Sequence, residues 1–178
     1  GSATGFSYQL YQGTTAMGAP AAGTGAPLSF GLQTVAGTYT VVATNTSTGC
    51  SRTMIGTTTI GIHSLPAIHT ITGGGNYCLG STGTSIGLSG SNTGISYQLY
   101  NGTVAAGAAV PGSTGSPINF GLHTAMGLYK VVATNTTTGC VANMTGSVTV
   151  GVYPLPTVFV VTGGGNYCAG SAGVAVGL

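Results

Sequence analysis

An all-β fold is predicted for this chain of 178 residues by three observations. The sequence repeats itself at an interval near 90 residues, short alternating runs of β-type residues lie between Gly-rich turns, and no helical period survives anywhere. Ser7-Tyr8-Gln9-Leu10-Tyr11 returns as Ser96 to Tyr100, an offset of 89. Val41 to Thr46 returns as Val131 to Thr136, Cys50 as Cys140, and Thr72-Gly73-Gly74-Gly75-Asn76-Tyr77-Cys78 as Thr162 to Cys168, each offset by 90. The slip of one residue falls in the Gly/Ala/Pro stretch after Gly13 and Gly102, where a loop absorbs it.

In the complete copy, strands are expected over Ala67–Thr72, Thr84–Ser89, Ile95–Tyr100, Pro117–Leu122, Leu128–Asn135 and Ser147–Val152. In the fifth, Tyr129, Val131 and Ala133 share one face, and Lys130, Val132 and Thr134 the other. Gly73-Gly74-Gly75 and Gly112-Ser113-Thr114-Gly115 read as turns. Six or seven short antiparallel strands in about 90 residues suit an immunoglobulin-like β-sandwich. Tyr39 and Tyr129, each two residues after a glycine at the start of a late strand, suit a tyrosine corner, which is a packing device.

Proline ends a strand and stiffens a junction, so the repeat boundaries are placed at Leu65-Pro66 and Leu155-Pro156. Residues 1–66 then hold the later strands of one repeat, 67–156 a whole repeat, and 157–178 the first strands of a third. In this register Leu178 corresponds to Leu88 and Gly1 to Gly90. The expectation is an excerpt from a tandem array, or a subunit whose two ends complement each other head to tail.

Composition narrows the function. Arg52 and Lys130 are the only charged side chains besides histidine, and there is no Asp or Glu, so charged residues make up 1% of the chain. A quarter is usual. With 42% hydrophobic residues the chain is no candidate for disorder. Its surface is one of hydroxyls, amides and glycine, with little repulsion to oppose self-association. Two cations cannot supply the phosphate contacts of nucleic-acid binding or recruitment to anionic membranes. No apolar run reaches the ~20 residues of a spanning helix.

Catalysis is not expected. Acid–base work, a Ser-His-Asp triad and a glycosidase carboxylate pair all draw on side-chain carboxylates that this chain does not have. His63, His69 and His123 fall opposite Tyr153, Phe159 and Gln33 in the other copy, and so read as tolerated substitutions. No cofactor or metal site is expected: calcium needs carboxylate oxygens, the cysteines make no CxxC pair, and no Gly-Lys-Ser/Thr follows the triple glycine.

Two cysteines per repeat read as structural disulfides of a secreted chain. The candidates are Cys50, Cys78, Cys140 and Cys168. Cys78–Cys140 would staple one repeat. Bonds between consecutive domains or subunits are the other reading, because the two loops lie at opposite ends of a sandwich. Asn45, Asn101, Asn135 and Asn143 stand in Asn-x-Ser/Thr sequons and are glycosylation candidates.

Taken as a set, Tyr77-Cys78-x-Gly80, Ser96 to Tyr100, Phe120-Gly121-Leu122, Tyr129 to Asn135, Thr138-Gly139-Cys140, Met144-Thr145-Gly146 and Leu155-Pro156 resemble the tandem immunoglobulin-like repeats of giant secreted surface proteins of Bacteroidota. The resemblance covers essentially the whole chain. It implies secretion, often by the type IX route, display at the cell surface, and roles in adhesion, gliding or extracellular fibres. The expectation is therefore a structural component of an extracellular filament whose partners are copies of itself or neighbouring repeats. The alternative is the stalk or ligand-binding module of a surface adhesin, engaging surface glycans through exposed Tyr and Asn. Ice binding is a weaker idea, because regular short Thr spacing is missing.

Overall fold

The computed structural model describes residues 1–178 and contains no helix. It divides into two compact units, Gly1–Ser64 and Leu65–Leu178.

The first unit is a single sheet. Strands β1 (Phe6–Gln12), β2 (Thr15–Ala22), β3 (Gly37–Asn45) and β4 (Ser51–Thr53) lie in the order β2-β1-β3-β4, and β5 (Thr58–Ile60) also pairs with β3. Tyr8, Leu10, Tyr39 and Ala43 project to one face and are buried.

The second unit is a sandwich of two sheets. One comprises β6 (Ile71–Gly73), β8 (Thr84–Leu88) and β12 (Ile118–His123), in the order β12-β8-β6. The other comprises β7 (Gly75–Cys78), β9 (Ile95–Asn101), β10 (Val104–Ala105), β11 (Val110–Pro111), β13 (Gly127–Asn135), β14 (Val141–Asn143) and β15 (Val148–Tyr153). Its order is β10-β9-β13-β15-β7, with β11 on β9 and β14 on β13. All ladders are antiparallel except β15–β7, which is parallel. This is the strand order of an immunoglobulin-like sandwich. A hairpin of β16 (Thr162–Gly163) and β17 (Val176–Gly177) ends the chain.

Period-two alternation builds the core, since successive side chains of a strand face opposite sides. Ile95, Tyr97 and Leu99 of β9 and Tyr129, Val131 and Ala133 of β13 point inward, and meet Ile71, Ile86, Leu88 and Ile118 from the facing sheet. Each such side chain contributes about 2 kcal/mol by leaving water. Tyr129 is buried, and its hydroxyl donates to the Ala125 carbonyl at 2.8 Å. Tyr39 repeats the contact with Val35 at 2.7 Å. Both are the tyrosine corners expected from the sequence.

Beyond the short strands β7, β10, β11 and β14, which the sequence does not predict, two departures concern the start of the repeat. The first strand begins at Ile71 rather than Ala67. Gly73-Gly74-Gly75 is no free turn: it is the crossing by which the chain leaves β6 in one sheet and enters β7 in the other. All three glycines have positive φ, and a Cβ on Gly73 would come within 2.1 Å of the Ser85 carbonyl oxygen. The one buried polar side chain, Ser91, is satisfied, accepting from the Ser113 N–H at 3.0 Å and lying 2.7 Å from the Ser116 carbonyl oxygen.

Gly73→Ala should cost the second unit about 2 kcal/mol through left-handed strain and the clash with Ser85, read as a lowered urea midpoint. Tyr129→Phe should cost about 1 kcal/mol by removing the corner bond. Burial pushes the Tyr129 phenol above its ordinary value, opposed by a hydrogen bond with Asn101. The stability held by its protonated form is therefore complete below pH ~10 and lost as pH rises further. The difference between wild type and Tyr129→Phe should stay constant up to pH ~10 and narrow only as the pH rises above it.

Candidate interaction site: the open face of the first unit

Residues 1–64 carry counterparts of β9 to β15 but none of β6 to β8. Tyr8 and Leu10 correspond to Tyr97 and Leu99, Tyr39 and Val41 to Tyr129 and Val131, Met54 to Met144, and Ile60 to Val150. In the second unit those counterparts belong to one buried cluster together with Ile71, Ile86 and Leu88; no residue of the first unit belongs to it. In the first unit the same face opens on a groove of about 550 Å³, lined by Tyr8, Leu28, Phe30, Val41, Met54 and Ile55 and also by Arg52 and Thr53. Further hollows continue it past Leu10, Tyr39 and Ile60.

The backbone responds to the same difference. Ile118–His123 forms β12 because β8 offers it a ladder. Its counterpart, residues 28–33, has no such neighbour and is not a strand. Leu32 and Ile55 are almost wholly exposed, at 99% and 98%. Exposed apolar faces of this kind are unusual on a monomeric unit.

A second apolar stretch lies at the other end of the sequence. Val158, Phe159, Val160 and Val161 are exposed, as are Tyr167, Val176 and Leu178. By the offset of 90, Val161, Val176 and Leu178 correspond to Ile71, Ile86 and Leu88. The latter three are at most 6% exposed, the former at least 68%.

The residues singled out in the sequence are not gathered at this face. Cys140 lies opposite Asn135 at one end of β13, and Cys78 pairs with Tyr153 beyond the other end. The ladder registers hold them about 35 Å apart at ~3.3 Å per residue, far beyond the ~7 Å that a bridge tolerates. The staple within one repeat is thus incompatible with the fold. Cys50, Cys78 and Cys168 are exposed and Cys140 is half-buried.

Among the sequons, Asn45 and Asn135 serve the chain itself. The Asn135 Oδ1 accepts from the N–H groups of Thr137 and Thr138, both at 3.0 Å, and Asn45 does the same for Ser47 and Thr48. Asn101 Nδ2 donates to the Met126 carbonyl at 3.2 Å. Asn143 is exposed on β14. His69 Nε2 lies 2.8 Å from Asn92 Oδ1, His123 packs 5.3 Å from the Tyr129 ring, and His63 is exposed. The histidines and cysteines form no group of three or more that could hold a metal ion.

No family model matches the chain, and no curated protein matches it.

A chymotryptic digest under non-reducing conditions should contain no peptide pair joining Cys78 to Cys140. Finding that pair in chains that run as monomers on a non-reducing gel would contradict the fold. Any glycan should fall first on Asn143, where intact-protein mass and peptide mapping would locate it.

Proposed function

We propose that this chain is a structural component of an extracellular filament built from immunoglobulin-like repeats joined end to end, as in the secreted surface proteins that it resembles. The observation that carries the reading is the pair of apolar surfaces on one chain: an open sheet face in residues 1–64 and the exposed apolar side chains of residues 157–178, whose counterparts are buried in the second unit. The composition supports it. With two charged side chains in 178 residues, copies approach one another with almost no Coulombic barrier and almost no charge to desolvate. The partners in this reading are copies of the chain itself or neighbouring repeats, and the role asks for no cofactor.

Electron microscopy of native material should show filaments. Their assembly should be unchanged between low salt and 1 M salt, because there is little charge to screen. Dispersed particles, or filaments that dissolve in moderate salt, would overturn the proposal. A denaturing gel with and without reductant then separates one very long polypeptide from many short ones.

A further inference from the structure

We infer that the open face of residues 1–64 is completed by residues 158–178 of another copy of this sequence, in the register that residues 68–88 adopt within the second unit. The inference rests on the self-assembling reading above for its setting, and adds the partner, the segment and the register.

The second unit provides the template. There Leu88 lies opposite Ile118, Thr84 opposite His123, and β7 runs parallel to β15 with Gly75 beside Val150 and Cys78 beside Tyr153. Shifted by 90, these pairs become Leu178 on Leu28, Val174 on Gln33, Gly165 beside Ile60 and Cys168 beside His63. Val161, Val176 and Leu178 then enter the groove where Ile71, Ile86 and Leu88 sit. The Ile71 N–H donates to the Thr145 carbonyl at 3.0 Å, and Thr145 donates to the His69 carbonyl at 3.0 Å. The corresponding groups belong to Val161, Ile55 and Phe159, all exposed.

Steric details that have no use in the isolated segments argue for the same register. In the second unit Gly151 admits the Asn76 side chain, since a Cβ there would lie 2.2 Å from Asn76 Oδ1. Gly87 passes the Ile118 carbonyl oxygen, which a Cβ would meet at 2.5 Å. The counterparts Gly61 and Gly177 are also glycine, and Asn166 matches Asn76. Yet a Cβ on Gly61 would meet nothing within 4 Å, and one on Gly177 only Thr162 Oγ1 at 3.7 Å. Tyr77 follows the pattern. Its hydroxyl donates to the Thr124 carbonyl at 2.6 Å, whereas Tyr167 is exposed and Thr34 stands at the matching place. Each of these residues fits a neighbour that only the paired arrangement supplies.

Size-exclusion chromatography with light scattering on the 178-residue chain tests the inference. Species of two or more chains are expected, their mass rising with concentration. Val176→Asp places a carboxylate where the template holds the fully buried Ile86, and should reduce the mass to the 17.2 kDa of one chain. Val176 lies outside the core of the second unit, so that unit's thermal transition should not move. Leu28→Asp should likewise yield single chains. An equimolar mixture of the two variants should form a complex of two chains, because one retains the groove and the other the strands. An unmodified chain that stays at 17.2 kDa, a Val176→Asp chain that still assembles, or a mixture that stays unpaired would each overturn the inference. Two-chain complementation together with native material devoid of filaments would uphold the exchange and remove the filament reading. Filaments indifferent to Val176→Asp would do the reverse.

Discussion

A sheet that is apolar on one face must bury that face against a second layer, and of the two units only the second does so with a second sheet. In the second unit β6, β8 and β12 cover the inward side of β9 and β13, and the side chains of the two sheets form one cluster. In the first unit Tyr8, Leu10, Tyr39 and Ala43 present the same face, while Leu28, Phe30, Val41 and Met54 line an open groove. The contrast is one of cover more than of sequence, because the two faces are built from corresponding residues except that Arg52 stands where the second unit buries Ala142. The loss of the ladder at residues 28–33 follows from it.

The covering layer depends on one backbone device. The chain spends only three residues in β6 before it crosses to the opposite sheet and runs parallel to β15 as β7. The crossing passes so close to Ser85 and Val148 that side chains are excluded at Gly73 and Gly74. One short segment thereby closes both sheets at once, through antiparallel bonds to β8 and parallel bonds to β15. A segment with that double role, supplied from elsewhere, can finish a sandwich whose remaining strands already stand.

Much of this was legible in the sequence, for local reasons. The strand at Gly127–Asn135 shows its two faces in the alternation of Tyr129, Val131 and Ala133 with Lys130, Val132 and Thr134. The corner of Tyr129 follows from its place after Gly127. The crossing was not legible: a run of three glycines signals a turn, and nothing nearby tells that its neighbours arrive from Ser85 and Val148. Strand β7 escaped because parallel pairing between Cys78 and Tyr153 joins residues 75 positions apart. The short strands β10, β11 and β14 carry no period long enough to read. The separation of Cys78 from Cys140 needed the ladder registers to decide between two readings that cysteine spacing left open. The groove itself was visible only as an inference from repeat boundaries, since sequence alone does not reveal which face lies uncovered.

The scarcity of charge bears on how such an interface could be specific. Interfaces commonly gain orientation and discrimination from complementary charge, which two cations and no carboxylates cannot supply. In the proposed interface discrimination would come from shape and backbone pairing: strands fix register by period and hydrogen bonds, and glycines admit close neighbours only where a Cβ is absent. Gly151 against Asn76, and Gly87 against the Ile118 carbonyl, are such contacts within the second unit. A slip of one residue would turn Ile86 and Leu88 away from the core and drive side chains into those passages. The combination of a sterically fixed register with an uncharged surface suits assembly that holds across wide changes of ionic strength, because neither backbone pairing nor apolar burial depends on a Debye length.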